Sequence, residues 1–438
     1  MSKLNRRSFL KGSLAAGAAL SLPAKIYSQA PGSNSDIRIA TIGFNGRGNS
    51  HISAWTSLKG VRLVGLCDVD YGVLEKGKAA MAKKDIVVEG YTDVRKLLES
   101  KEIDAISTAT PNHWHSLIAI WAMQAGKDVY VEKPVSHNVW EGSQAVAAAR
   151  KYNKLCQTGT QSRSSSGLRD AHEWMKSNPL GKIKWVRGLC YKRRPSIGKA
   201  TMPLEWPQTV DKDLWFGPAP VKDLMRLKLH YDWHWIWDTG NGDLGNQGIH
   251  QMDISRWFLN EDALSPNVFS VGGRLGYVDD GESANTQFIY HGYEKAPLIF
   301  EVRGLPQKTD AKEMDEYRGA SIGVVVECEN GSLVIPSYTG AGVFDKSGKL
   351  VKRFGSFKVP EGQTDPGAPE KASAESKEND HFANFLSAVR SRKVEDLHAD
   401  IHEGHLSSAL CHTGNISYRL GAKADQGAIH EKIKANTD

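Results

Sequence analysis

The sequence predicts an α/β protein of two domains, a doubly wound parallel sheet followed by an α/β domain with a largely antiparallel open sheet. Three observations carry this. Up to about Cys156, short apolar runs alternate with helical stretches of roughly 10 to 15 residues, the rhythm of parallel strands joined by crossover helices. Beyond that point the apolar residues alternate within strand-length runs, as in sheets with one solvated or partner-facing side. The first apolar run also closes on a glycine cluster, Ile37 to Gly48 reading IRIATIGFNGRG, and leads into HISAW, which is a strand, a tight turn and a helix start. With 438 residues, 40% of them apolar, the chain can fill two cores.

Taken in order, IRIATIGF and VRLVGLCD are the first two strands, and a helix beginning at Thr92 or Asp93 covers YTDVRKLLES. The AISTAT strand precedes a helix through SLIAIWAMQAG, stopped by Gly126, and DVYVEKP and the Ala-rich helix from Glu141 to Lys154 follow. LCQTGTQSRS crosses into the second domain. Its strand runs are KIKWVRGLCY, NVFSVGGRLG, NTQFIYHGY, PLIFEVRGL, IGVVVECENGSLVIP and KLVKRF. The polar stretch QTDPGAPEKASAESKEN reads as a linker, and two helices, DHFANFLSAVRSR and one around IHEGHLSSALCHTGNISYRL, close the chain. The resulting division is 1–30 for a signal segment, 36–156 for the nucleotide domain, 157–375 for the substrate-binding sheet and 376–430 for helices packing on both.

Ligands of such sheets sit beyond the carboxyl ends of the strands. In the first turn Gly43, Asn45, Gly46, Arg47 and Gly48 bring backbone N–H groups and a helix N-terminus toward a pyrophosphate, with Asn45 where the usual pattern has glycine. Asp68 closes the second strand, where a carboxylate accepts ribose hydroxyls and repels a 2′-phosphate, so the expected cofactor is NAD rather than NADP. Later strand ends add Thr110, Asn112, His115, Glu132 and Gln161 as cofactor candidates. Lys133, held before Pro134 at the rim of the crevice, is placed to grip a substrate hydroxyl.

Five of the six excess positive charges belong to Lys3, Arg6, Arg7, Lys11 and Lys25, so the rest is nearly neutral and no nucleic-acid stripe stands out. Those residues fall in NRRSFLK, which an Ala/Leu run and the small residues of Ser28-Gln29-Ala30 follow. The segment resembles a twin-arginine signal, which implies an exported, periplasmic protein with no transmembrane domain once the signal is removed. The scattered Cys67, Cys156, Cys190, Cys328 and Cys411 form no CxxC or zinc-like spacing.

The second domain is centred on LHYDWHWIWDTGNGDLGNQGIHQMDISRWFL. Indole faces stack on sugar rings while polar groups bind hydroxyls, so His230, Trp233, His234 and Asn246 are candidate carbohydrate contacts, with Arg163 from the crossover. His230, His234, Asp243 and His250 are of metal-ligating types, but no tight ligand pattern supports a metal and none is expected.

Taken together, IGFNGRG, Asp68, ATPNHWH, the EKP at Glu132 to Pro134 and GNGDLGNQGIHQMD resemble the Gfo/Idh/MocA family over essentially the whole mature chain. The resemblance implies an N-terminal Rossmann domain, a C-terminal α/β substrate domain and a homo-oligomer, dimer or tetramer. It implies an NAD-dependent carbohydrate oxidoreductase in which Lys133 orients substrate and His250 accepts the hydroxyl proton. Asn246 stands where an aspartate is common, so either Asp243 supplies the charge that balances His250 or His250 works as a weaker base. A related glycosidase family, which oxidises a sugar transiently with bound NAD and then eliminates, hydrates and re-reduces it, is the alternative.

Overall fold

A computed structural model describes residues 36–308, 311–367 and 379–435; the signal segment lies outside them. The parallel sheet contains β1 (Ile37–Ile42), β2 (Val61–Cys67), β3 (Glu89–Tyr91), β4 (Ala105–Thr108), β5 (Asp128–Val131) and β6 (Cys156–Thr158), in the order β3-β2-β1-β4-β5-β6. Because β1 lies between β2 and β4, strand order reverses there, and the carboxyl ends of these strands open a crevice. The connecting helices are α1 (Gly48–Ser57), α2 (Tyr71–Ala82), α3 (Val94–Glu99), α4 (Asn112–Gln124) and α5 (Val139–Lys151).

Local chemistry sets several boundaries. Asp93 starts α3 by accepting the Arg95 N–H at 2.9 Å. Helix α4 begins at Asn112, earlier than its apolar run suggests, because Pro111 occupies the cap position. Helix α2 is absent from the sequence reading. It buries only Leu74 and Met81, and Asp70 caps it by accepting the N–H groups of Gly72 and Val73.

The second sheet contains β7 (Ile183–Tyr191), β8 (Val268–Gly273), β9 (Thr286–His291), β10 (Leu298–Arg303), β11 (Ile322–Cys328), β12 (Gly331–Ile335), β13 (Gly340–Asp345) and β14 (Leu350–Gly355). Its order is β14-β13-β12-β11-β7-β10-β9-β8, antiparallel throughout except for β7 beside β10. The run IGVVVECENGSLVIP folds as the β11–β12 hairpin. A further helix, α6 (Ser166–Met175), precedes this sheet. Later in the chain come α7 (Ile249–Leu259), α8 (Asn379–Ser391) and α9 (Ile401–Leu420).

Helix α7 sends Met252, Ile254 and Phe258 into one core with Phe300 of β10 and Leu410 of α9. Helix α9 reaches the other domain as well, because its Ile401 belongs to the core that holds Ile106 and Val131. On the other side of the parallel sheet, Phe382 and Phe385 of α8 pack with Trp55 and Tyr130. The Trp55 and Phe382 rings meet edge to face with centroids 4.9 Å apart, and the indole N–H donates to Ser107 at 3.0 Å. Truncating a ring such as Phe382 costs about 3 to 5 kcal/mol. Helix α9 thereby joins the cores of the two sheets. All five cysteines are free and buried. Among the described residues no helix is long and apolar enough to cross a membrane.

Candidate functional site

A cavity of about 320 Å³ runs from the end of β1 into the second domain. Its first wall is the glycine turn. Gly43 has φ +71°, and a Cβ there would stand 2.8 Å from the Thr110 side chain. A Cβ on Gly48 would stand 2.2 Å from the Gly43 carbonyl oxygen, so the tight turn requires glycine at both positions. Gly46 differs: nothing lies within 4 Å of its Cβ position, and its bare backbone faces the cavity. The first turn of α1 carries no acidic residue and no side-chain cap, which leaves its N-terminal dipole available to an anion.

Asp68 lines the same end of the cavity. Its two oxygens accept the N–H groups of Phe44 and Asp70, both at 3.0 Å, and so tie the glycine turn to the end of β2. Each oxygen keeps a further lone pair for a hydroxyl donor. Burial raises the Asp68 carboxyl above its ordinary value, against these two backbone bonds. The wall there also takes Val69, Thr92 and Asp93 from neighbouring strand ends and Trp215 from the second domain.

Glu132, at the end of β5, is a buried hub. It accepts from Arg47 Nε at 2.9 Å and lies 3.1 Å from His51 Nε2. Burial alone would push its carboxyl up, but Arg47, His51 and Lys133 together hold it well below the usual carboxylate range. Glu132 and Arg47 both line the cavity, so this pair ties the glycine turn to the end of β5.

Lys133 turns the cavity toward the second domain. Its Nζ donates to the backbone carbonyl of Asn246 at 2.9 Å. Asn246 lies in a π-helical turn, Leu244–Gly248, that feeds directly into α7. Such a turn re-aims side chains within an otherwise regular helix, and here it presents Asn246 to the cavity. His250, in the first turn of α7, stands with its ring edge-on to Tyr338 at 5.3 Å. No hydrogen bond to His250 exists among the described residues, and its Nδ1 is buried. Burial, then the charge of Lys133, lowers the His250 imidazole well below its ordinary value. Burial also lowers Lys133, with Glu132 opposing.

The structure corrects several sequence expectations. Arg163 does not face the cavity; its guanidinium pairs with Asp253 at 2.9 Å and with Glu403 at 3.0 Å, locking the crossover to α7 and α9. Asp243 is buried against Arg194, whose Nε and Nη2 donate to its oxygens at 3.0 and 2.6 Å, and it makes no bond to His250. The charge of Glu132 opposes the lowering of the His250 imidazole by burial and Lys133. His230 reaches across to Asp70 at 2.9 Å, the Asp68 end of the cavity rather than the Lys133 end. His115 sits between the carbonyls of Pro134 and Thr110 at 2.6 and 2.8 Å and clamps two strand ends together. Gln161 and His250 are absent from the cavity wall, whereas Thr110, Asn112, His115 and Asn45 are in it. Asn112 also bridges the domains, donating to Asn241 at 2.9 Å.

Trp233 and His234 both line the cavity, yet they stack on each other with centroids 3.6 Å apart, so each ring has one face covered. His234 Nδ1 bonds the Tyr231 carbonyl at 2.6 Å, and burial pushes its imidazole down to about 3. His230, His234, Asp243 and His250 therefore do not converge, and among the described residues no group of three or more such side chains is placed to hold a metal. The sequence reading missed Arg194, Lys192, Gln247 and Tyr338. The first two belong to the basic run Lys192-Arg193-Arg194 directly after β7, a signal that a strand end makes readable.

The profile described as oxidoreductase family, NAD-binding Rossmann fold, matches residues 37–160. The profile described as oxidoreductase family, C-terminal alpha/beta domain, matches residues 177–311. The chain belongs to the Gfo/Idh/MocA oxidoreductase family. A twin-arginine signal profile matches residues 3–23, which indicates export by that pathway. Among curated relatives, an α-N-acetylgalactosaminidase of Shewanella oneidensis is 31% identical over 179 residues, 36% of this chain and 39% of that protein. A glycosyl hydrolase family 109 protein of a Shewanella species is 33% identical over 125 residues, 27% of each. The match thus spans well under half the length of these relatives. Among solved structures, the WlbA dehydrogenase of Bordetella pertussis, in complex with NADH and UDP-GlcNAcA, has a TM-score of 0.63 at 18% identity and covers 89% of this chain and 100% of its own. An oxidoreductase domain protein of Kribbella flavida has a TM-score of 0.64 at 18% identity, over 88% and 98%.

The geometry of this Gfo/Idh/MocA chain fits the cofactor of its Rossmann domain, NAD. The open Gly46 backbone and the uncapped α1 N-terminus suit a pyrophosphate, and the remaining Asp68 lone pairs suit ribose hydroxyls.

Proposed function

We propose that the protein transfers hydride between a hydroxyl-bearing carbon of a carbohydrate or glycoside and a tightly bound nicotinamide, and that it works in the periplasm as a homo-oligomer. One observation carries the reading: a single cavity joins the glycine turn and Asp68 to Lys133 and Asn246. The nicotinamide, when bound, supplies the hydride acceptor.

The chain's own residues handle orientation and the proton. Lys133 donates to the reacting hydroxyl oxygen from its place beside the Asn246 carbonyl, which stabilises negative charge on that oxygen. His250, kept neutral by burial and by Lys133, accepts the hydroxyl proton. Asn246 holds a neighbouring hydroxyl. Glu132 fixes Arg47 and moderates the charge of Lys133 without touching substrate. Trp233 and His234 present one composite aromatic wall to a sugar face.

The α-N-acetylgalactosaminidase relative favours a second reading on the same fold, in which oxidation is transient and the net reaction is hydrolysis of a glycoside. Both readings share the first step. Incubating mature protein and NAD with a panel of glycosides and weighing the products separates them. A glycoside lighter by two hydrogens marks a dehydrogenase, free sugar and aglycone without net oxidation mark a glycosidase, and unchanged glycosides would sink both.

A further inference from the structure

The region around the π-helical turn holds more positive than negative charge. Arg47 is matched by Glu132 and Arg194 by Asp243, each at hydrogen-bonding distance. Lys133 and Lys192 have no carboxylate partner among the described residues. The Lys133 ammonium donates to a backbone carbonyl, and the half-buried Lys192 ammonium donates to Gln247 Oε1 at 2.8 Å. Their acceptors belong to adjacent residues, Asn246 and Gln247, so both cations contact one turn of the chain.

Burying charge without an ion pair is costly, and an anionic ligand at a binding cleft offsets that cost. Lys192 does not line the cavity that begins at the glycine turn, so its charge is not there for the cofactor. It is held at the same turn by the Gln247 side chain. Gln247, which accepts from Lys192, donates in turn to the Tyr338 hydroxyl, and Tyr338 meets the His250 ring. This chain fixes the ammonium near the proposed base. The positive field of both lysines reaches His250 and depresses it, and burial depresses each lysine, with like charge contributing. An anion within reach of both ammonium groups offsets their charge at His250 and at each other.

We infer that the substrate is an acidic carbohydrate, one whose carboxylate or phosphate is bound by Lys192, with Lys133 adding to the field, while a hydroxyl faces His250. This rests on the hydride-transfer reading for the identity of the substrate as a sugar, and it adds the charge.

The test is a titration of the NAD-loaded protein with methyl glucuronide, glucose 6-phosphate and methyl glucoside, followed by tryptophan fluorescence. At least one anion should bind about tenfold or more tightly than the glucoside, the effect of one charge-assisted contact. Raising salt should narrow that ratio. Lys192→Gln should bring it within about twofold, and Lys192→Arg should retain it. The tighter of the two anions identifies the group. A wild type that binds neither anion better than the glucoside, or a Lys192→Gln protein that keeps the full ratio, overturns the inference. Turnover is read separately by NADH absorbance and product mass. Selective anion binding with no oxidation or hydrolysis of any sugar would remove the hydride-transfer reading and leave the charge selection standing. Oxidation of all three without preference would do the reverse.

Discussion

The glycine turn and the π-helical turn are built in different ways. At the glycine turn, backbone does most of the work: Gly43, Gly46 and Gly48 shape the loop, and Asp68 anchors it through the N–H groups of Phe44 and Asp70. Everything essential there comes from consecutive strand ends of one sheet. At the π-helical turn, side chains do the work, and they come from far apart. Lys133 follows β5, His250 opens α7, Lys192 and Arg194 follow β7, and Tyr338 lies between β12 and β13. The first end depends on geometry that few residues can adopt. The second depends on charges that compensate one another across the fold, so a change at one group is felt at the others.

This difference predicts where each substitution acts. The largest effect belongs to the substrate end: His250→Ala and Lys133→Ala should each lower turnover by about 10² to 10⁴ while the purified proteins keep their nucleotide. Bound NAD is read from the absorbance of denatured supernatants. Wild-type turnover in either variant would strip that residue of its role, and loss of nucleotide would show that the two ends are not independent.

Arg163→Met separates a structural ion pair from a substrate contact. Removing the guanidinium leaves the buried Asp253 with only Arg256 at 4.0 Å and the Ser407 hydroxyl, so unfolding should become easier by up to about 3 kcal/mol, with KM for the glycoside unchanged. A raised KM at unaltered stability would return Arg163 to the substrate. At the cofactor end, Asp68→Ala removes acceptors for two backbone N–H groups and for a ribose. NAD affinity should drop by roughly 10- to 100-fold, from hydrogen bonds to a charged group, and NADP should be excluded less. An unaltered preference between the two nucleotides would limit Asp68 to anchoring the turn.

The fold class and the cofactor end were legible in the sequence for one reason: parallel strands, their crossover helices and the glycine turn are written in consecutive residues. What escaped is weakly patterned or tertiary. Helix α2 buries too little for an apolar stripe. Strand β13, with glycines at 340 and 342, lacks strand composition. In α6, Leu168, Ala171 and Met175 do stand at i, i+3 and i+7, but a run of serines before them reads as a loop. At the substrate end the residue types were visible while their pairings were not. Nothing in the spacing of Arg194 and Asp243, or of Arg163, Asp253 and Glu403, says which carboxylate is already neutralised.

The smallest effect is also the most direct probe of that pairing, because it asks whether the charges at the substrate end sense one another. His250 must be neutral to accept a proton. Its imidazole is lowered by burial and then by Lys133, so turnover should fall on acidification through a pH below 6.5. Lys133 must be charged to stabilise the reacting oxygen, and burial lowers it too, so the alkaline limb should lie below pH 10.5. Between the limbs the profile should be flat, and both apparent values belong to the coupled pair. In Lys133→Met the positive neighbour is gone, protonation of His250 becomes easier, and the acid limb should move up toward 6.5 even though the residual rate is low. The alkaline limb should vanish in the same variant. An acid limb that stays in place would mean that His250 and Lys133 do not share a field, and the proton acceptor would have to be sought among the residues that line the cavity.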